Sequence, residues 1–104
     1  MLVHRYWRIE EVLRELEVDR EFLRTLEMED IIHPKHTLEG ELVLSAEDVE
    51  RVRVARILME ELEVNLAGVE VVLHLREEIV AMQRQFGDLL EHLVRELRVR
   101  VRKQ

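Results

Sequence analysis

The chain lacks several residue types, and each absence excludes a class of chemistry. It has no cysteine, which excludes disulfides, thiol redox chemistry and cysteine–zinc sites. Its single serine, two threonines and five histidines do not form the pattern of a nucleophile beside a base. A glycine-rich phosphate loop is also missing. The sequence therefore predicts no catalytic residues, no enzyme activity and no cofactor.

Long apolar runs and clustered metal ligands are absent as well. The first residues contain no apolar segment of the signal-peptide type, and no run approaches the ~20 apolar residues that cross a membrane. We therefore expect a cytoplasmic protein with no membrane partner. His33 and His36 lie close in sequence, but two ligands without cysteine or a well-placed acid make a poor site, so no metal is predicted.

Acidic residues outnumber basic ones and are concentrated in the first two thirds of the chain. Residues 1–65 contain 17 acids and 9 bases, a net charge of −8. Residues 66–104 contain 6 acids and 7 bases, a net charge of +1. Phosphate contacts supply most non-specific DNA affinity, so the acidic region favours a basic protein partner over DNA. Solubility alone is the alternative explanation.

The segment from Asn65 to Leu97 has the apolar spacing of a coiled-coil helix, with apolar residues at intervals of three and four. The predicted dimer-interface residues are Val72, Leu75, Ile79, Met82, Phe86, Leu89 and Leu93. A helix from Val72 to Leu97 would be roughly 39 Å long. Because a small domain cannot cover such a stripe, we expect a second copy of the chain to cover it. In the alternative, the helix breaks at Gly87 and folds back on itself.

Shorter elements precede this helix. A first helix is expected over residues 8–17, and Asp19 is a good N-cap for a second helix close behind it. Two short, closely joined helices indicate a helix-turn-helix. Residues 33–44 predict a small β-hairpin, after which Ser45 caps a third helix and Asn65 caps the long one. With only three glycines and one proline, the composition is that of a mostly helical protein.

The order of these elements and four short stretches resemble the MerR-like helix-turn-helix family. Residues 23–27 are similar to the Leu-Arg-Tyr-Tyr-Glu stretch of its second helix, and residues 31–34 to its Leu-Leu-x-Pro exit into the wing. Residues 45–49 resemble the start of its third helix. Residues 64–69, Val-Asn-Leu-Ala-Gly-Val, are similar to Val-Asn-Leu-Ala-Gly-Ile in the heat-shock repressor (HspR) branch. A similar helix start occurs in the chaperone-modulator (CbpM) branch.

The resemblance implies a fold class and a domain organisation. The chain is expected to be mostly α, with a MerR-like winged helix-turn-helix domain and a small β-hairpin wing over residues 1–64. Residues 65–104 would form a long dimerisation helix and a basic tail. Since MerR-like proteins usually pair this helix antiparallel, the expected assembly is a homodimer joined by an antiparallel coiled coil.

Several positions depart from the residues with which MerR proteins bind DNA. Thr25 and Leu26 replace aromatic residues, Leu42 replaces a wing arginine, and Asp30 replaces a glycine. Residues 19–30 carry five acids and two bases, a net charge of −3, which phosphates would repel. We therefore expect the MerR-like fold without its DNA-binding surface.

Similarity to the chaperone modulators implies a protein that binds and inhibits the J-domain of a DnaJ/CbpA-type co-chaperone. J-domains present a basic helix, which an acidic surface suits. The residues expected to bind it, chosen for charge density and exposure, are Glu10, Glu11, Glu15, Asp19 and Glu21. The alternative is a MerR- or HspR-type DNA-binding transcriptional regulator. Its expected phosphate contacts are Arg20, Arg24, Lys35 and His36.

Overall fold

The computed structural model describes residues 6–103, apart from the side chain of Lys103. The chain forms two compact units, with the boundary between Glu70 and Val71. The first unit contains the sheet and the short helices, and the second is formed by the greater part of the long C-terminal helix.

Two short helices, α1 (Ile9–Glu15) and α2 (Arg20–Met28), form the predicted helix-turn-helix. The carboxylate of Asp19 caps α2 by accepting a hydrogen bond from the backbone N–H of Phe22 at 2.8 Å. This confirms the cap expected from the sequence, and it satisfies a backbone N–H that has no partner within the helix.

Acidic residues occupy the left-handed backbone conformation just beyond three helical segments. Glu17, Asp30 and Glu63 have φ angles of 55°, 60° and 54°. Glycine is the usual residue at such helix ends, because a Cβ in this conformation costs about 1–2 kcal/mol. The left-handed backbone conformation at Glu17 and Asp30 explains why α1 and α2 end just before these residues.

Three short strands, β1 (Tyr6–Arg8), β2 (Lys35–His36) and β3 (Leu42–Ser45), make an antiparallel sheet in the order β1-β3-β2. The β2–β3 pair is the predicted wing hairpin. It turns over residues 37–40, where the Gly40 N–H donates to the Thr37 carbonyl at 2.9 Å and Gly40 adopts a φ of 85°. The sequence did not predict β1.

Helix α3 (Ala46–Arg56) follows β3 directly, and a single π-helical turn (Ile57–Glu61) follows α3. The backbone N–H of Asp48 donates to Ser45 Oγ at 3.1 Å, which confirms the predicted cap. The π turn was not predicted. It precedes Glu63, whose left-handed backbone conformation separates this turn from the long helix.

The carboxylate of Asp48 joins α3 to the segment before the wing. Asp48 is only 4% exposed. It accepts hydrogen bonds from the backbone N–H of His33 at 2.8 Å and from the Arg51 guanidinium at 2.9 Å. A buried carboxylate needs such partners, because burying an unpaired charge is costly. Asp48 therefore fixes the start of the wing relative to α3.

Helix α4 (Leu66–Lys103) is unbroken over 38 residues, roughly 57 Å. The backbone N–H of Gly68 donates to Asn65 Oδ1 at 2.8 Å, which confirms Asn65 as the cap. The helix runs through Gly87 without interruption, so the break considered as an alternative is not found. No helix within residues 6–103 is long and apolar enough to cross a membrane.

Apolar side chains from α1, α2, β3, α3 and the start of α4, with two isoleucines that follow α2, form the core of the first unit. The buried residues are Ile9, Val12, Leu23, Leu26, Ile31, Ile32, Val43, Leu44, Val52, Ala55 and Val69. The expected fold class is thus confirmed: a mostly helical, winged helix-turn-helix arrangement followed by a long C-terminal helix.

Candidate protein-interaction surface

The basic residues expected to contact DNA lie on α2 and β2. Arg20, Arg24, Lys35 and His36 are all exposed. Arg20 already has an acidic partner, since its guanidinium donates to Glu10 Oε2 at 3.1 Å. A backbone hydrogen bond at Glu10 and the side-chain hydrogen bond from Arg20 lower the pKa of the Glu10 carboxyl. The pair reduces the positive charge that α2 presents to solvent.

The wing presents apolar and acidic side chains at its tip. Leu38, in the turn between β2 and β3, is fully exposed at 103%, and Leu42 is 37% exposed. Glu39 and Glu41 are also exposed, and Glu41 lies 3.2 Å from the Arg8 guanidinium. A phosphate backbone offers such side chains no favourable contact, whereas a protein surface does.

The five acids expected to bind a J-domain lie on α1 and at the start of α2. Besides the Glu10–Arg20 pair, Glu11 accepts a hydrogen bond from the backbone N–H of Arg8 at 3.1 Å. Asp19 caps α2, and Glu15 lies 3.7 Å from Arg14. Glu10, Glu11 and Asp19 therefore also have structural contacts that the sequence argument did not include.

Two of the five acids meet at a cleft in the first unit. It is open to solvent and has a volume of about 560 Å³. The residues that line it are Leu13, Glu17, Val18, Asp19, Glu21, Phe22, Thr25 and Glu60. The apolar members are half-buried, and the acids are exposed. We call this group the acid-rimmed cleft.

Two acids of the acid-rimmed cleft, Glu17 and Glu60, were not predicted from the sequence. Glu17 is the left-handed residue after α1, and Glu60 lies in the π turn. An acid at a helix end where glycine is usual was the available signal for Glu17. The sequence held no corresponding signal for Glu60. A regular α-helix would have placed its side chain on a different face from the one that the π turn gives it. Arg56 lies between them, 3.8 Å from Glu17 and 3.2 Å from Glu60.

We compared the chain with models of known protein families. The family model of MerR helix-turn-helix regulatory proteins matches residues 7–98, which cover both the winged domain and most of α4. The chain belongs to the MerR family. This confirms the resemblance seen in the four short stretches. The family match does not distinguish the heat-shock repressor branch from the chaperone-modulator branch. No curated protein matches the chain significantly.

In this MerR protein, α4 carries a row of exposed apolar side chains. The seven predicted interface residues are between 36% and 61% exposed in the single chain, with Val72 the least and Phe86 the most exposed. Between residues 71 and 102, Leu73 is the one buried side chain. An apolar row of this length in water indicates an interaction surface.

The apolar row also continues beyond Leu93. Leu90, Leu97 and Val101 are 46%, 61% and 69% exposed. From Phe86 onward, a row that runs through Leu90, Leu93, Leu97 and Val101 has spacings of 4, 3, 4 and 4 and bypasses Glu96. These spacings follow an 11-residue repeat more closely than a heptad, a period that favours a right-handed supercoil over a left-handed one where such a row pairs with another helix.

The described part of this MerR chain contains no group of three or more metal-ligating side chains. His33 lies 3.9 Å from Asp30, and its backbone N–H is bound to Asp48. His36 lies in β2 with an exposed side chain.

Proposed function

We propose that this MerR-family protein is a cytoplasmic chaperone modulator that binds and inhibits the J-domain of a DnaJ-type co-chaperone, without catalysis. The observation that carries the proposal is that α2 and the wing present acidic and apolar side chains to solvent. Where a DNA-binding MerR domain needs positive charge, this chain presents Glu21, Glu39 and Glu41 together with the exposed Leu38. Residues 64–69 are similar to the heat-shock repressor branch and share a similar helix start with the chaperone modulators, so they are compatible with either function.

Electrostatics favours this partner over DNA. A MerR recognition helix must approach phosphates on both sides of the major groove, and residues 19–30 would bring a net charge of −3 to them. A basic helix of a J-domain would meet the same charge as an attraction, which raises the association rate and weakens with added salt.

Inhibition of J-domain activity tests the proposal. The purified protein would be titrated into an assay in which a DnaJ-type J-domain stimulates the ATPase of its chaperone partner. We expect saturable loss of the stimulated rate and no change in the basal rate. In a direct binding assay, a J-domain whose basic helix residues are replaced by glutamine is the matched control, and it should bind the protein more weakly. An unchanged stimulated rate at high excess of the protein would contradict the proposal.

A second candidate function is DNA-binding transcriptional regulation, which the exposure of Arg24, Lys35 and His36 favours. These side chains lie on the helix-turn-helix and the wing, from which MerR-type domains contact phosphates. The function predicts enrichment of a palindromic sequence from a genomic DNA library, bound by a dimer. It also predicts that Arg24→Ala removes most of the affinity. Absence of any enriched sequence would exclude this function.

We also propose that the protein is a homodimer joined through α4. The exposed apolar row on this helix needs a partner, and a second copy offers an identical row. Charge supports an antiparallel pairing. Residues 66–83 carry three acids and one base, whereas residues 84–103 carry three acids and six bases. Antiparallel helices would bring opposite net charges together, and parallel helices would bring like charges together.

Two measurements test the assembly. Phe86→Asp should convert a dimer to a monomer in analytical ultracentrifugation, whereas Arg84→Asp, on the opposite side of the helix, should not. The second measurement is the distance between two spin labels, one on each subunit. Because the chain has no cysteine, Arg98→Cys provides a single labelling site in each subunit. If the two-fold axis lies near residues 82–83, antiparallel pairing places the two labels roughly 45 Å apart. Parallel pairing would place them about 10–20 Å apart.

A further inference from the structure

We propose that the acid-rimmed cleft is the docking site for a basic amphipathic helix that inserts one large apolar side chain between its acids. The inference rests on the proposed function and deepens it, since it names the segment of the partner and the place where that segment binds. It also changes the binding surface, from the exposed acids of α1 to a cleft that includes Glu17 and Glu60.

The shape of the cleft supports an apolar anchor. Leu13, Val18 and Phe22 are half-buried and line the cleft, which has a volume of about 560 Å³. A side chain such as leucine entering this space would remove apolar surface of both partners from water. Helices that bind in grooves do so by inserting such anchors from one face.

The charge of the cleft selects the residues around that anchor. Glu17, Asp19, Glu21 and Glu60 contribute four negative charges to its lining, and the lining contains no basic residue. Arg56 lies beside Glu17 and Glu60 and offsets part of this charge. Lysine or arginine residues one helical turn before and after the anchor would face the acids of the cleft. This charge complementarity favours a basic helix over other apolar segments.

The backbone at Glu17 is consistent with this use. Its φ of 55° is unfavourable for a residue with a Cβ, and glycine would relieve it. A glycine would also remove a carboxylate from the edge of the cleft. Glutamate at residue 17 therefore adds negative charge to the cleft at a position where glycine would be less strained.

The test measures binding of two probes to the full-length protein. The first is the isolated J-domain of a DnaJ-type co-chaperone. The second is a synthetic alanine-based helical peptide with one central leucine flanked by lysines. Matched peptides replace the leucine by alanine or the lysines by glutamate. In the protein, Glu17→Lys/Glu21→Lys reverses two charges of the cleft. Glu27→Lys/Glu29→Lys is the control, since it makes the same change of net charge at two exposed acids outside the cleft.

We expect the cleft variant to weaken binding of both probes by about tenfold or more, and the control variant to change it by about twofold at most. Thr25→Phe is a second variant, which fills the cleft without changing the net charge. It should also weaken both probes. Binding of the peptide should depend on its leucine as well as on its lysines. Circular dichroism checks that each variant retains its helices.

The outcomes separate this inference from the proposed function. If the J-domain binds the wild type, the cleft variant and Thr25→Phe equally well, the inference is wrong and the proposed function stands. If the J-domain does not bind but the peptide binds with the expected dependence on cleft and leucine, the proposed function is wrong and the cleft remains a receptor for basic helices. If neither probe binds the wild type, both are wrong.

Discussion

Two glycines in the same helix should respond to alanine in opposite directions. Gly87 lies in the middle of α4, and a Cβ placed there would have no heavy atom within 4 Å. Gly68 lies in the first turn, where a Cβ would come within 2.6 Å of Val64 Cγ1 and 3.3 Å of Asn65 Oδ1. The two sites therefore separate the intrinsic cost of glycine in a helix from the need for space.

The magnitudes follow from these distances. Gly87→Ala removes an unfavourable helix residue without a clash and should raise the free energy of unfolding by about 1 kcal/mol. Gly68→Ala gains less than that, because it lies in the first turn, and it must displace the β-branched side chain of Val64 and disturb the Asn65 cap. Overpacking costs about 1–3 kcal/mol, so we expect a net loss of about 1–2 kcal/mol.

Urea unfolding followed by circular dichroism measures both variants, at one fixed protein concentration because an oligomer's stability depends on it. Val64→Ala/Gly68→Ala is the control, since it removes the methyl group that the new Cβ would meet. The double variant should recover part of the loss, with a coupling energy of about 1 kcal/mol. If Gly68→Ala stabilises the protein as much as Gly87→Ala does, the account of this helix start is refuted.

Three further changes test other features of the fold. Glu63→Gly should raise the free energy of unfolding by about 1 kcal/mol, since glycine relieves the left-handed conformation; a loss would contradict this. Asp48→Ala should lower it by about 3 kcal/mol by removing the buried carboxylate that accepts hydrogen bonds from the His33 backbone and the Arg51 guanidinium, whereas the exposed Glu47→Ala should change it by less than about 0.5 kcal/mol; equal effects would contradict this. Arg20→Ala should raise the pKa of Glu10 toward its ordinary 4.5, although the backbone hydrogen bond should still keep it below that value. NMR titration of the carboxyl carbon measures this pKa, and an unchanged value would contradict the prediction. Because the folded-state pKa is the lower one, the pair stabilises the fold above the unfolded-state pKa and loses this effect as the pH falls through the folded-state value.

Features that depend on neighbouring residues were predictable from the sequence. The caps Asp19, Ser45 and Asn65 are decided within a few residues by hydrogen bonds to the first helical turn. The continuity of α4 through Gly87 was the expectation favoured by its apolar row. A single glycine costs about 1 kcal/mol, which is too little to break a helix that gains stability along its whole length.

Features that depend on distant residues were not predictable. Strand β1 has only three residues, and its hydrogen-bond partner β3 lies more than thirty residues away in the sequence. The π turn leaves no trace in the apolar spacing, and it determines where Glu60 lies. The acid-rimmed cleft was not predicted either, because its lining includes Glu60, which is distant in the sequence from the other lining residues. Charge density identified Asp19 and Glu21, but not Glu17 and Glu60, which line the same cleft.

The most direct test of the central claim, that a MerR scaffold here binds a protein and not DNA, is a paired titration. The purified protein would be titrated with the J-domain of a co-chaperone encoded in the same genome and, separately, with a genomic DNA library, both near physiological salt. Saturable J-domain binding with no enriched DNA sequence is the predicted result. Enrichment of a specific DNA sequence without J-domain binding would show that the exposed bases of α2 and β2 suffice for DNA, and would contradict the claim.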